Sequence, residues 1–422
     1  MTRDTDFLLV STCKMCGEGF FDEKLELNKS PLANELFNSS KSAIAADEFS
    51  LTLRMCSQCR HIQLETIVSG ERLFKNYIYQ SGTSKSFHVH FEALAETLQK
   101  VLPNKANVLE IGSNDGTLLK YLEGVGFKAY GIEPSRHLVE LCKIAQLNVV
   151  EGFLDRPTTE LMKNKFGLME CIIGNNVFAH IDDLSGAVGQ VCELLNDDGL
   201  FVFEVAYAFR MFEKNLFDTI YHEHMSYHTV TALVPFLQAR GFYNIDIHEI
   251  STHGGSIRVF ARYNSNPRVN FISPRTKELL SWEVAAQLDN PSILTIMKKK
   301  IEVVKEKVHE VLSSFEPNTI YFGYAAPAKV VTFLSEMNLE RFNLVGIVDD
   351  NVDKQGKFLP RSGIGITSLS NLLSKLPAKD ARIVCLIFAW NLGDELRLRL
   401  QEVMPTGSSV VTFSPTISRV DF

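Results

Sequence analysis

Along this chain short apolar runs repeatedly stop at a turn and give way to an amphipathic helix, and that alternation restricts the fold more than any other feature. Asn107-Val108-Leu109-Glu110-Ile111-Gly112 reads as a buried strand entering the turn Ser113-Asn114-Asp115-Gly116, followed by a helical run from Thr117 to Leu122. Ala129 to Glu133 is the next strand, Ser135 the cap of a helix from Arg136 to Ile144, and Cys171-Ile172-Ile173-Gly174 and Leu200 to Val205 continue the series. Ahead of them Phe87, Phe91, Leu94, Ala95 and Leu98 recur at three- and four-residue intervals, which predicts a helix from Lys85 to Leu102 ended by Pro103. The economical architecture for about 85–265 is a parallel sheet with helices on both faces.

A second alternating unit follows. Thr319–Tyr324, Leu344–Asp349 and Ile383–Phe388 are strand-like, so the chain is read as α/β with two doubly wound sheets. Between the units, a charged helix from Pro291 to Ser314, with Ile296, Ile301, Val304, Val308 and Leu312 on its apolar side, reads as a connector. At 422 residues and 45% hydrophobic, the chain has core for two or three domains. The expected boundaries are 1–75, 76–265 and 266–422.

Residues 1 to about 75 read as short strands and turns around cysteines, with Ser30-Pro31-Leu32-Ala33-Asn34 as a loop. Cys13-Lys14-Met15-Cys16 and Cys56-Ser57-Gln58-Cys59 form two C-x-x-C hooks, each able to turn two thiolates toward one tetrahedral ion. Zinc is the natural occupant, and four protein ligands leave no open position, so the metal is expected to be structural. The other cysteines, Cys142, Cys171, Cys192 and Cys385, lie in apolar runs and read as core. With 50 acidic against 43 basic residues and no sustained Lys/Arg run, nucleic acid is not an expected partner. No signal-peptide core and no stretch of ~18 apolar residues is found, so a cytoplasmic protein off the membrane is expected, as a monomer or weak oligomer.

The densest chemistry lies in Tyr221-His222-Glu223-His224-Met225-Ser226-Tyr227-His228, where imidazoles, a carboxylate and two phenols suit proton transfer and oxyanion stabilisation. The turn Gly112, Ser113, Asn114, Asp115, Gly116 sits where a doubly wound fold binds ligand, and Glu133 ends the second strand, where a carboxylate accepts ribose hydroxyls. The dinucleotide fingerprint G-x-G-x-x-G is missing, which opposes pyrophosphate binding. Asn175, Asn176 and His180 follow another strand, and Tyr77, Tyr79 and Ser84 fall in a hydroxyl-rich loop ahead of the first long helix. His253-Gly254-Gly255-Ser256-Ile257-Arg258 suits a phosphate or sugar contact or an ordinary hairpin. Lys329, after Ala-Ala-Pro-Ala, stands near a helix N-terminus as a phosphate partner.

The order of these motifs resembles that of the nucleotide-sugar C-methyltransferases, S-adenosylmethionine enzymes that install a methyl branch at C3 of 4-keto deoxyhexoses. It runs from the two hooks with Pro-Leu-Ala-Asn between them, through Tyr-x-Tyr-x-Ser-Gly-x-Ser, Glu-x-Gly-x-Asn-Asp-Gly, Asn-Val-x-x-His, Tyr-His-Glu-His and His-Gly-Gly-Ser-x-Arg, to Ala-Pro-Ala-Lys. The resemblance implies a zinc-binding N-terminal domain, a Rossmann-type methyltransferase domain and a C-terminal domain that helps hold the nucleotide-sugar. It implies that Glu110, Gly112, Asn114 and Glu133, with Asp115, Gly116, Asn175 and Asn176 around them, hold S-adenosylmethionine. By the same token His224 is the base, with Tyr221, Glu223, His180, Tyr77 and Tyr79 lining the pocket. Tyr79, Ser84, His253, Ser256, Arg258 and Lys329 would then meet the substrate. One departure is Ala325, where relatives often carry glycine before Ala-Pro-Ala-Lys.

The rival readings are an O- or N-methyltransferase on a sugar or secondary metabolite, a nicotinamide oxidoreductase, and a non-catalytic metabolite-binding protein. The position of a transferred methyl group, a nicotinamide titration, and an absence of any methyl transfer would respectively distinguish them. Sequence alone leaves open whether the nucleotide is thymidine, guanosine or cytidine diphosphate.

Overall fold

The computed structural model describes residues 7–74, 82, 85–265, 270–376, 382–414 and 416–422. Its central sheet has seven strands in the order Phe242–Ile250, Ser256–Tyr263, Leu195–Ala206, Met169–Asn175, Asn107–Ile111, Lys128–Glu133, Asn148–Glu151. Ser256–Tyr263 runs antiparallel to both neighbours, and the other pairings are parallel. Strand alternation builds the layers. Val108, Cys171, Ile173 and Val202 face one way, onto Phe91, Leu94, Leu98 and Leu118 of the helices Lys85–Gln99 and Thr117–Gly124. Leu109, Ile111, Ile172, Phe201 and Phe203 face the other way, onto the helices Leu184–Leu194 and Val230–Gln238.

The predicted helix Arg136–Ile144 is present, with Ser135 at its N-cap position, yet the serine side chain makes no capping bond. Its own backbone N–H instead donates to the Glu133 carboxylate, at 2.9 Å. Cap chemistry here comes from the end of the preceding strand.

The C-terminal sheet has six strands in the order Ile366–Thr367, Leu344–Val348, Ile320–Tyr324, Ile383–Ile387, Ser409–Thr412, Ser418–Asp421, and only the final pairing is antiparallel. The N-terminal region forms a four-stranded antiparallel sheet in the order Ser226–Tyr227, Ile62–Leu64, Phe49–Cys56, Phe20–Ser30. Its edge strand therefore comes from the Tyr-His-Glu-His region, more than 150 residues further along the chain. Among the described residues no helix is long and apolar enough to cross a membrane.

The helix Ser292–Ser313 is more than a connector. It buries Leu294, Met297, Ile301, Val308 and Leu312 in one core shared by Leu25, Leu27 and Leu51 of the N-terminal sheet and Tyr321, Val384 and Val411 of the C-terminal sheet. Ile296 is 45% exposed, because a 3.6-residue period that buries Leu294, Met297 and Ile301 turns position 296 outward.

Ala325, at the end of the strand Ile320–Tyr324, takes φ 68°, so the left-handed path favoured by glycine is kept without glycine. That conformation costs an L-residue about 1–2 kcal/mol. Ala325→Gly is expected to raise unfolding stability by about 0.5–1 kcal/mol after allowance for the looser unfolded chain, as read by denaturant titration.

Candidate active site and metal centre

The hairpin pairing of Phe20–Ser30 with Phe49–Cys56, which places Phe20 opposite Cys56, brings the two hooks together across their 39-residue separation. The four sulfurs of Cys13, Cys16, Cys56 and Cys59 lie within 4.8 Å of one another, with Cys13 to Cys59 at 3.5 Å and Cys16 to Cys56 at 3.4 Å. Four thiolates ~2.3 Å from a tetrahedral zinc stand ~3.8 Å apart, so the set fits that ion. Backbone N–H groups of Gln58 and Cys59 point at the Cys56 sulfur and that of Met15 at the Cys13 sulfur, all at 3.4 Å, an arrangement suited to charged sulfur. The hook is tied onward: Lys14 N–H donates to Gln63 Oε1 at 2.8 Å, and Gln63 stands opposite Ser226 in the sheet.

At the carboxyl end of Asn107–Ile111, Gly112, Asn114 and Gly116 all take positive φ, at 66°, 51° and 74°. A Cβ on Gly112 would stand 2.7 Å from Val177 Cγ2, and one on Gly116 would stand 2.3 Å from Leu147 Cδ1. Glu133 accepts from the N–H groups of Asn114 and Ser135, each at 2.9 Å. Glu110 is buried, and burial with the nearby Asp115 and Glu133 pushes its carboxyl well above the usual range. Glu110 Oε2, Ser113 Oγ and both polar atoms of the Asn175 amide have no hydrogen-bond partner among the described residues. Buried polar groups with unused bonding capacity can take up a ligand with matching donors and acceptors, as a nucleoside has. Asn176, at φ 56°, donates its N–H to the Glu204 carbonyl at 2.8 Å. Asp115 serves the loop itself, accepting from Thr117 and from Gly82 N–H at 2.8 Å. Tyr77, Tyr79 and Ser84 lie outside the described residues.

The eight-residue histidine cluster divides. His222 Nε2 donates to the Ser50 carbonyl at 3.3 Å and His228 Nε2 to the Phe178 carbonyl at 3.0 Å. Tyr227 is a strand residue opposite Ile62. His224 instead joins His180, with their rings 5.1 Å apart. His224 Nδ1 donates to the Thr219 carbonyl at 2.9 Å, which places the neutral ring's lone pair on Nε2, and there the Tyr221 hydroxyl donates at 2.7 Å. His180 Nδ1 donates to the Glu223 carbonyl at 2.6 Å.

Burial, with the His180 ring beside it, holds His224 well below the usual imidazole range, and burial brings His180 down to about 4. Burial pushes the Glu223 carboxyl up to about 7, and Asn34 pulls the other way, its Nδ2 lying 2.8 Å from both carboxylate oxygens. In the sequence Asn34 belongs to the loop 30–34 and to the Pro-Leu-Ala-Asn motif. Nothing in its spacing points to a partner 189 positions away.

His253, at φ 53° in the hairpin turn, acts electrostatically on both His180 and His224, and Lys329 acts on His253. Lys329 lies 3.7 Å from the Trp390 ring centroid, donates to Asn391 Oδ1 at 2.8 Å, and is lowered to about 8 by burial. Trp390 Nε1 in turn donates to Asp218 at 2.8 Å, one residue before the carbonyl that holds His224. Ser256 and Arg258, expected at the substrate, are committed elsewhere. Ser256 Oγ donates to the Thr252 carbonyl at 3.0 Å, and Arg258 pairs with the fully buried Glu204, which also takes His90 at 2.7 Å. A buried carboxylate demands such partners, and the strand register delivers Arg258 opposite Glu204.

Three family descriptions match the chain in sequence order: "Putative zinc binding domain" over residues 13–74, "Methyltransferase domain" over 86–247 and "C-methyltransferase C-terminal domain" over 251–415. The C-methyltransferase NovU of Streptomyces niveus is 27% identical over 410 residues, 96% of each chain. An uncharacterized methyltransferase of Bacillus cytotoxicus is 32% identical over 28% of this chain and 55% of its own. Among solved structures, magnesium protoporphyrin IX methyltransferase (ChlM) from Synechocystis, with bound SAM, is 16% identical at TM-score 0.32, over 42% of this chain and 79% of that one.

Gly112→Ala puts a methyl group into Val177 at a left-handed position. It is expected to cost about 1–2 kcal/mol of stability and to weaken S-adenosylmethionine binding at least about tenfold, as read by thermal melts and calorimetric titration.

Proposed function

We propose that this S-adenosylmethionine-dependent C-methyltransferase methylates C3 of a 4-keto-6-deoxy nucleotide-diphosphate sugar in the biosynthesis of a branched deoxysugar. The observation that carries this reading is the His224 ring, partly exposed yet kept neutral by desolvation, and locked by Thr219 with its lone pair on Nε2. A hydrogen on carbon beside a carbonyl is the class of weak acid that such a base is suited to remove.

S-adenosylmethionine, held by Glu133, Asn114 and Asn175 around the glycine turn, supplies an electrophilic methyl group on its sulfonium. The chain's own residues make the carbon nucleophile. His224 Nε2 takes the C3 proton, the C–H electrons form the C3–C4 double bond, and the 4-keto oxygen becomes an enolate. Tyr221, already bonded to Nε2, is the nearest hydroxyl donor to the developing charges. Burial disfavours an isolated imidazolium, so the proton moves only as the enolate's negative charge forms beside it. A general base contributes roughly 10²–10⁴-fold, and an oxyanion donor ~10²–10³-fold. His253 and Lys329, a cation on an aromatic face at the C-terminal sheet's edge, are assigned to the diphosphate end of the substrate.

The deciding experiment incubates the protein with S-adenosylmethionine and a panel of 4-keto-6-deoxy nucleotide-sugars, and locates the added carbon by NMR. A methyl on C3 supports the proposal; a methyl on oxygen or nitrogen overturns it. His224→Ala is expected to lower kcat ~10²–10⁴-fold while the Kd for S-adenosylmethionine stays within about threefold. In the wild type, the pH profile of kcat should rise through about 7 as Glu223 ionises, since its negative charge one residue away offsets the imidazolium that forms on His224, with no limb near the usual imidazole value because desolvation keeps His224 neutral there. Glu223→Gln should abolish that limb.

A further inference from the structure

We propose that Asn34, a residue of the N-terminal zinc-binding region, is a positioning residue of the methyl-transfer site: its amide holds in one orientation the carboxylate of Glu223, the residue before His224. This rests on the assignment of the Tyr-His-Glu-His segment to the proton-transfer step. Asn34 Nδ2 stands 2.8 Å from both Glu223 oxygens, and no other side chain among the described residues is bonded to them. Glu223 is only 3% exposed, so that amide replaces the water a carboxylate would otherwise hold.

The contact is built into the architecture. Asn34 leaves the end of the strand Phe20–Ser30, and the same sheet takes Ser226–Tyr227 as its edge strand and bonds His222 through Ser50. Met225 O accepts from Leu64 N–H at 2.9 Å, so Glu223 and Asn34 are carried by one sheet whose far end bears the cysteine hooks. The titratable groups around the pair are Tyr221, His222, His224 and His180 on the segment's side. On the Asn34 side they are Glu35 and Arg72, which pair with each other at 3.4 Å. None of these exerts a resolved pull on Glu223, whose charge is governed by burial against Asn34.

The sign follows. A neutral amide donor stabilises the carboxylate, so its removal must raise the Glu223 midpoint. In Asn34→Ala the acid limb of kcat is expected to move up by about one to two pH units, the size of a lost hydrogen bond to a charged group. KM for the nucleotide-sugar and zinc content should stay near wild type. The isosteric Asn34→Asp should move the limb further, since two carboxyls at that distance share a proton, and it carries the test if the alanine variant folds poorly. NMR titration of protein labelled with ¹³C-glutamate, with the Glu223 signal identified by its loss in Glu223→Gln, reads the same midpoint without substrate. A raised midpoint supports the role of Asn34 even where no 4-keto sugar is turned over, an outcome that would sink only the substrate reading. An unmoved midpoint in both folded, zinc-loaded variants, or an unchanged kcat profile in an active enzyme, overturns it.

Discussion

The organising constraint is the burial of a polar segment. In the stretch 218–228 every residue but Thr219, Tyr221 and His224 is buried, and a buried unpaired donor or acceptor costs about 1–3 kcal/mol. Each part of the chain supplies partners. The N-terminal sheet gives Asn34 to Glu223 and the Ser50 carbonyl to His222. The central domain gives the Phe178 carbonyl to His228, and the C-terminal domain gives Thr332 Oγ1 to the Ile220 carbonyl and Trp390 to Asp218. The segment thus works as a keystone, and its geometry exists only when all three parts are assembled around it.

That arrangement explains the division of labour among similar side chains. His222, His224 and His228 each spend one ring nitrogen on a main-chain carbonyl, but of the three His224 lies against His180 and has its other nitrogen bonded by the Tyr221 hydroxyl. Desolvation then does the electrostatic work. It keeps the imidazoles neutral and raises Glu223 toward neutrality, so a base and a titrating acid coexist a residue apart. The zinc-binding region is read here as a brace whose strand pairing sets the angle of the segment.

Much of the fold was legible because its signals are local. The runs at Asn107, Ala129, Cys171 and Leu200 are short, apolar and bounded by turns, and each becomes a strand of the central sheet. The cysteine hooks declared their ligand set through spacing alone. Local signals say less where a distant partner decides. The helix Ser292–Ser313 looked like a connector because periodicity shows an apolar face without showing the two sheets that share it. Arg258 looked like a ligand contact because its partner Glu204 is 54 positions away and is set by strand register. Ser135 had cap chemistry, but Glu133 reached the turn first.

Sequence by itself determined the order of the elements, the four-cysteine set, the glycine turn and the histidine cluster, because hydrophobic period, left-handed turns and chelate spacing are properties of neighbouring residues. Only tertiary structure decided that His224 lies against His180 while His222 and His228 do not, that Asn34 stands behind Glu223, and that Arg258 and Ser256 bond internal partners. These outcomes depend on which groups are desolvated together, and that is settled when strands far apart in the chain pair and exclude water between them.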